Sequence, residues 1–215
     1  MFIGHFAPAL AAATHPRAPK LATLFVAAQL VDWGFFALLL TGAEKMRVVP
    51  GITTMNPMDL YHMPWTHSLA GSAVWALGFA ALVWVLRRDR VAAGIAGAVV
   101  LSHWLLDLLV HRPDLTLVGS PPKLGLGLWN YPAIEMPLEL ALTFGALWFF
   151  LSRTRGPMVP AIVLALILLA LQAVNWFGPV ASEVTAGTSL LAFFAYGLAT
   201  AAAWRVESNR IYRAK

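Results

Sequence analysis

Cysteine is missing from all 215 residues. No disulfide, thiolate nucleophile or thiolate metal ligand is available, so a transition-metal site has to be built from histidine and carboxylate. Charge is nearly as scarce. Asp, Glu, Lys and Arg make up 12% of the chain, against about 25% in soluble domains, while 60% is hydrophobic. This balance excludes an ordinary water-soluble protein. The net charge of +5 does not describe a nucleic-acid surface, because the basic residues sit in short clusters between apolar runs, as topology signals do. The expected partner is the lipid bilayer, with a lipid or small-molecule substrate and no nucleic acid. No low-complexity tail or soluble-domain linker interrupts the pattern, so residues 1–215 read as a single integral membrane domain.

Six apolar runs approach the roughly 20 residues that a crossing helix needs: 21–40, 68–86, 91–110, 136–151, 158–177 and 188–204. Before them, residues 1–13 are apolar but have no basic residue ahead of them, unlike a signal peptide. They read as a half-length helix, turned away by Pro16 and Pro19. The expected fold is an all-α polytopic membrane bundle of about six transmembrane helices plus a short N-terminal half-helix. Pro137 is expected to open the fourth span, and Pro157 and Pro160 the fifth. Of the fifteen basic residues, eleven fall on one side: Arg17, Lys20, Arg87, Arg88, Arg90, Arg153, Arg155, Arg205, Arg210, Arg213 and Lys215. The positive-inside rule makes that side cytoplasmic, with both ends of the six-span bundle in the cytoplasm of a cytoplasmic (inner) membrane. Trp65, Trp129 and Trp176 are expected at the outer interface, and Trp84, Trp148 and Trp204 at the inner one. The long loops 41–67 and 111–135 then both lie outside, and their length points to function there.

Ionisable residues at membrane depth are few: Asp32, His103, Asp107 and Glu139, with His67 at the mouth of the second span. On a helix His103, Asp107 and His111 share one stripe. Asp32 and His103 each lie twelve residues, roughly 18 Å, from the cytoplasmic face, and His5 reaches a similar depth if the half-helix rises from that face. Intramembrane ionisable groups are expensive and read as functional by default. Histidine nitrogen with aspartate oxygen suits zinc and related divalent ions, which also balance the buried carboxylates. Residues 1–135 are thus the metal-site half and residues 136–215, whose last two spans hold only Gln172 and Asn175 as candidate polar groups, the scaffolding half.

The segments His62-x-x-x-Thr66-His67-Ser68 and Ser102-His103-x-x-x-Asp107, with an early Gly4-His5, resemble the YdjM-like family of membrane-bound metal-dependent hydrolases (the LexA-regulated inner-membrane hydrolase family). The resemblance covers roughly residues 1–129. The family's aspartate-rich segment after the first helix corresponds here to Gln29-Leu30-Val31-Asp32-Trp33, which keeps one aspartate and lacks the histidine that follows. The resemblance implies a metal site of His5, Asp32, His67, His103 and Asp107, with His62 and His111 as weaker candidates. It also implies a hydrolytic reaction through metal-activated water. Residues 121–130 are read as a lid whose Lys123 meets an anionic, lipid-linked or phosphoester substrate.

The polar set leaves other functions open. The alternative is a proton- or ion-coupled transporter using the same Asp and His residues. A bis-histidine haem protein and a non-catalytic scaffold, in which His103 and Asp107 tie helices together, are weaker readings.

Overall fold

The computed structural model describes residues 1–179 and 181–212. Arg213 and Lys215, counted above among the basic residues of one side, lie outside the described residues. Among the described residues the chain is an all-α bundle: α1 (Phe6–Ala12), α2 (Leu21–Ala28), α3 (Leu30–Leu40), α4 (Leu69–Arg87), α5 (Arg90–Val110), α6 (Pro132–Arg153), α7 (Val159–Phe177) and α8 (Ala186–Glu207). Helices α4 to α8 are each long and apolar enough to cross a membrane, and α2 with α3 passes the same test only when the bent pair is taken together. The bundle is polar inside and greasy outside. Leu77, Leu86, Phe177, Leu191 and Phe194 are all well exposed, while His5, His67, His103, Asp107 and Glu139 are buried. A large exposed apolar surface is unfavourable in water and natural in lipid.

The first span departs from the uninterrupted helix expected over 21–40. It breaks at Gln29, where α2 and α3 meet at 52°. The cause lies in the N-terminal segment, which enters the bundle instead of lying at its edge. Gln29 Nε2 donates to the Phe2 carbonyl, and Phe6 stacks on Phe25 with ring centroids 4.3 Å apart. Ile3, Phe6, Ala9 and Leu10 are fully enclosed by the main core. The fourth span also begins earlier than expected. Pro132 occupies its first turn and Pro137 lies inside the helix. Pro132 needs no hydrogen-bonding N–H at that position, so the chain can start the helix there and Pro137 need not.

Two antiparallel hairpins cap one end of the bundle. Strand β1 (Lys45–Val48) pairs with β2 (Met58–His62), and β3 (Leu115–Thr116) with β4 (Lys123–Leu124). The loops that carry them are joined by Met55 N–H, which donates to the Trp129 carbonyl, and the first turn of α4 holds the second loop through Ala70 N–H, which donates to the Leu117 carbonyl. Gly125 makes this close packing feasible, since a Cβ there would meet the carbonyl oxygens of His111 and Arg112 at 2.4 and 2.2 Å. At the opposite end β5 (Thr154–Arg155) pairs with β6 (Ile211–Tyr212). Asp89 there caps α5 through the N–H groups of Val91 and Ala92. It also receives a fork from Arg17, and these hydrogen bonds hold its carboxyl down to about 2.

Candidate metal centre

Four elements deliver the polar cluster. A 3-10 turn (Ile3–His5) ahead of α1 brings His5, α3 brings Asp32 in its first turn, and the segment before α4 brings His67. Helix α5 brings His103 and Asp107, and His111 is the residue that ends it. The structure thus gathers Asp32, His67, His103, Asp107 and His5 into one centre. It also promotes His111, whose Nε2 lies 3.5 Å from Asp107 Oδ1. His111 had ranked low because counting put it past the membrane edge. The loop folds back over it, and the Trp129 ring packs 4.2 Å away. For the same reason Trp129 is buried. His62 does not join. It sits exposed at the end of β2, paired with Lys45 and next to the equally exposed Tyr61. Lys123, on β4, is exposed and lines a small cleft of about 50 Å³ together with His62, Ser120 and Asp114.

The tautomers of three histidines follow from their outer partners. His103 Nδ1 lies 2.8 Å from the Ala28 carbonyl. A carbonyl only accepts, so Nδ1 carries the proton. That carbonyl is available because α2 ends there, and a helix's last carbonyls have no partner within it. The break in the first span therefore fixes the ring of the third. His67 Nδ1 lies 2.8 Å from Thr66 Oγ1. That hydroxyl gives its one proton to Glu44 Oε2 at 2.7 Å and so accepts from His67. Glu44 is itself buried and held by the N–H groups of Trp65 and Thr66. His111 Nδ1 donates to Asp114 Oδ1 at 2.9 Å. Each ring then turns a bare Nε2 lone pair toward the aspartates.

His67 Nε2, Asp32 Oδ1, His103 Nε2 and Asp107 Oδ2 close a ring with successive separations of 3.3, 3.5, 3.1 and 3.6 Å. Around one tetrahedral ion held at ~2.0–2.2 Å every pair of ligands stands roughly 3.3–3.6 Å apart; among the described residues the sets with all donor atoms within 4.8 Å of one another are two triads that share His103, Asp32 with His67 and His103, and His5 with His103 and Asp107. Acceptors facing acceptors across such a ring repel. His103 Nε2 and Asp107 Oδ2 have no hydrogen-bond partner although both are buried, at a cost that a shared cation removes. The donor set therefore fits a divalent ion. Histidines anchored at Nδ1 by a carbonyl, a hydroxyl or a carboxylate are also the usual outer arrangement of metal sites. Asp32 is the least enclosed of the four donors, its side chain 16% exposed, and Tyr196 from α8 donates to its other oxygen at 3.1 Å.

Glu44, Asp114 and Tyr196 were not anticipated. Thr66 directly precedes His67 and Asp114 stands three residues after His111, which is a usable signal. Glu44 and Tyr196 meet the site only through tertiary folding. Glu139 supports His5 indirectly, accepting from the N–H groups of Phe2 and Gly4, with Gln172 bonded to the same carboxylate at 2.8 Å. Replacing Thr66 by valine removes the acceptor for His67 at nearly constant volume. Metal titration is expected to show affinity lowered by ~10–100-fold, with Thr66→Ser close to wild type. Equal affinity in Thr66→Val would mean that His67 is not oriented by this contact.

No family model, no curated protein and no solved structure matches this chain.

Proposed function

We propose that the chain is a membrane-embedded, metal-dependent hydrolase acting on a lipid-linked or phosphoester substrate from the extracytoplasmic side of an inner membrane. One observation carries this reading: anchored imidazole lone pairs converge on Asp107, which is buried, and on Asp32, which is partly exposed, at separations of 3.1–3.6 Å. Asp32, His67, His103 and Asp107 would hold the ion. An all nitrogen-and-oxygen donor set is suited to zinc. Such an ion, when bound, supplies a Lewis acid and makes water acidic enough to ionise near neutral pH. The chain's own residues bind, orient and exclude water: Thr66, Ala28 and Asp114 fix the imidazoles, and Tyr196 positions Asp32 at the accessible edge. The sidedness rests on the arginine-rich turns opposite the hairpin end. The motif resemblance to the YdjM-like family supports the reaction class.

The detergent-purified protein is expected to carry a divalent metal and to hydrolyse a member of a phosphoester panel that includes lipid-linked compounds. His103→Ala loses metal and hydrolysis together. A folded wild type that is metal-free and binds no added zinc overturns the reading. The broken first span favours a second one, ion-coupled transport, since discontinuous helices line the binding sites of many transporters. Solute uptake into proteoliposomes without any hydrolysis would select it.

A further inference from the structure

Ser189, Phe193 and Tyr196 fall on one face of α8, being four and then three residues apart. That face meets α3: the Phe193 ring stacks on Trp33 with centroids 5.3 Å apart, and Tyr196 donates to Asp32. Two buried polar atoms on these helices, Trp33 Nε1 and Ser189 Oγ, have no hydrogen-bond partner among the described residues. We propose that the α3–α8 seam binds a lipid phosphoester. Its hydrocarbon chain lies against Phe193, its phosphoester oxygens accept from Trp33 and Ser189, and its reacting end meets the metal ring at Asp32. The inference rests on the metal-site reading above and gives that site a substrate class and a way in from the bilayer.

Other approaches are closed. The side chains of His67, His103 and Asp107 are 4% exposed or less, while that of Asp32 is 16% exposed. The joined hairpin loops and the buried Trp129 cover the outer end. His67 and His103 close one side of the Asp32 carboxylate and Tyr196 stands at the other, which puts its open edge at the seam. The residues of the seam also exceed what helix contact needs. An indole N–H only donates, and buried without an acceptor it carries a cost that phenylalanine in the same stack would avoid. Tryptophan ordinarily keeps its N–H at the membrane interface, yet Trp33 lies about 10 Å below the Leu40 end of α3 at helical rise. A phosphoester oxygen supplies the missing acceptor, and a hydrocarbon chain suits the half-buried Trp33 and Phe193 rings. The stack involves no hydrogen bond from the indole, so it can turn aside for a ligand.

The test is binding of two phosphonates to zinc-loaded protein in lipid nanodiscs: dodecylphosphonate, which has no ester to cleave, and methylphosphonate, which has the same head without the chain. Dodecylphosphonate is expected to bind, and methylphosphonate at the same concentrations is not. Trp33→Phe, which keeps the stack and removes the donor, and Ser189→Ala each weaken dodecylphosphonate ~10-fold or more, the worth of a hydrogen bond to a charged group. In wild type, where no variant has to fold, a diazirine in the dodecyl chain is expected to label α3 and α8 around Trp33 and Phe193. Equal binding of methylphosphonate would mean that the site is reached from water, and overturns the seam. Binding that neither substitution weakens, labelling confined to other helices, or no binding to metal-loaded protein overturns it as well, and each leaves the metal site standing. Wild type that takes up no zinc overturns this inference and the site reading together.

Discussion

Asp107→Asn is expected to abolish metal binding while leaving the metal-free protein as stable as wild type. The two effects have different origins. Asparagine keeps the shape of the side chain, but its amide nitrogen has no lone pair for a metal. The loss should exceed the ~10–100-fold typical of removing an outer-shell partner. In the metal-free fold the same nitrogen becomes a donor. It stands where Oδ2 faced His103 Nε2 at 3.1 Å and His67 Nε2 at 3.6 Å, both bare lone pairs, and converts an acceptor–acceptor contact into a hydrogen bond. The amide oxygen can still accept from the Met1 ammonium, now 3.1 Å from Oδ1. If instead the cluster were only structural, with charged histidines paired to Asp107, the same change would leave buried charges uncompensated at a cost of about 3–5 kcal/mol. Melting in detergent with chelator, at alkaline pH where the imidazoles are neutral, beside a metal titration, separates the cases. A metal-free variant that melts far below metal-free wild type sinks the ligand reading.

How much of this was legible beforehand depends on whether the signal is local. Helices α4 to α8 follow from apolar runs of crossing length, which is a property of composition and needs no tertiary knowledge. The pairing of His103 with Asp107 follows from four-residue spacing on one helix. Depth counting was enough to bring Asp32 and His103 together across two helices, because the spans share a common frame. The break at Gln29 left no such trace. Residues 21–40 read as one apolar run carrying only Thr23, Gln29 and Asp32 as polar residues, none of them a helix breaker, and the N-terminal segment meets the break through Phe2 on Gln29 and Phe6 on Phe25. Glu44 is similarly silent. It reaches Thr66 by the return of the first hairpin, over a chain separation at which no periodicity operates. Depth counting places His111 past the membrane edge, and only the folded loop with Trp129, which extends the buried volume past the end of α5, encloses it.

Removing the metal from wild type should lower its melting temperature, with a pH dependence that identifies the donors. A ligand that binds only the folded state stabilises it by about 4 kcal/mol when present at a thousandfold excess over its dissociation constant. Here the gain includes relief of four acceptors held 3.1–3.6 Å apart. Imidazole must be neutral to ligate, so protons compete with the metal and its affinity falls with acidification. In metal-free protein the proton takes the ion's place, since a charged imidazole donates to the carboxylate it faces. The sign follows: at fixed metal concentration the gap between loaded and chelated protein is widest at the alkaline end and closes as pH falls and the imidazoles take up protons. Melting curves with zinc and with chelator, at several pH values, check this. In Asp107→Asn the two curves should coincide at every pH. A wild type whose chelated and loaded forms melt together at neutral pH would show that these side chains satisfy one another without an ion.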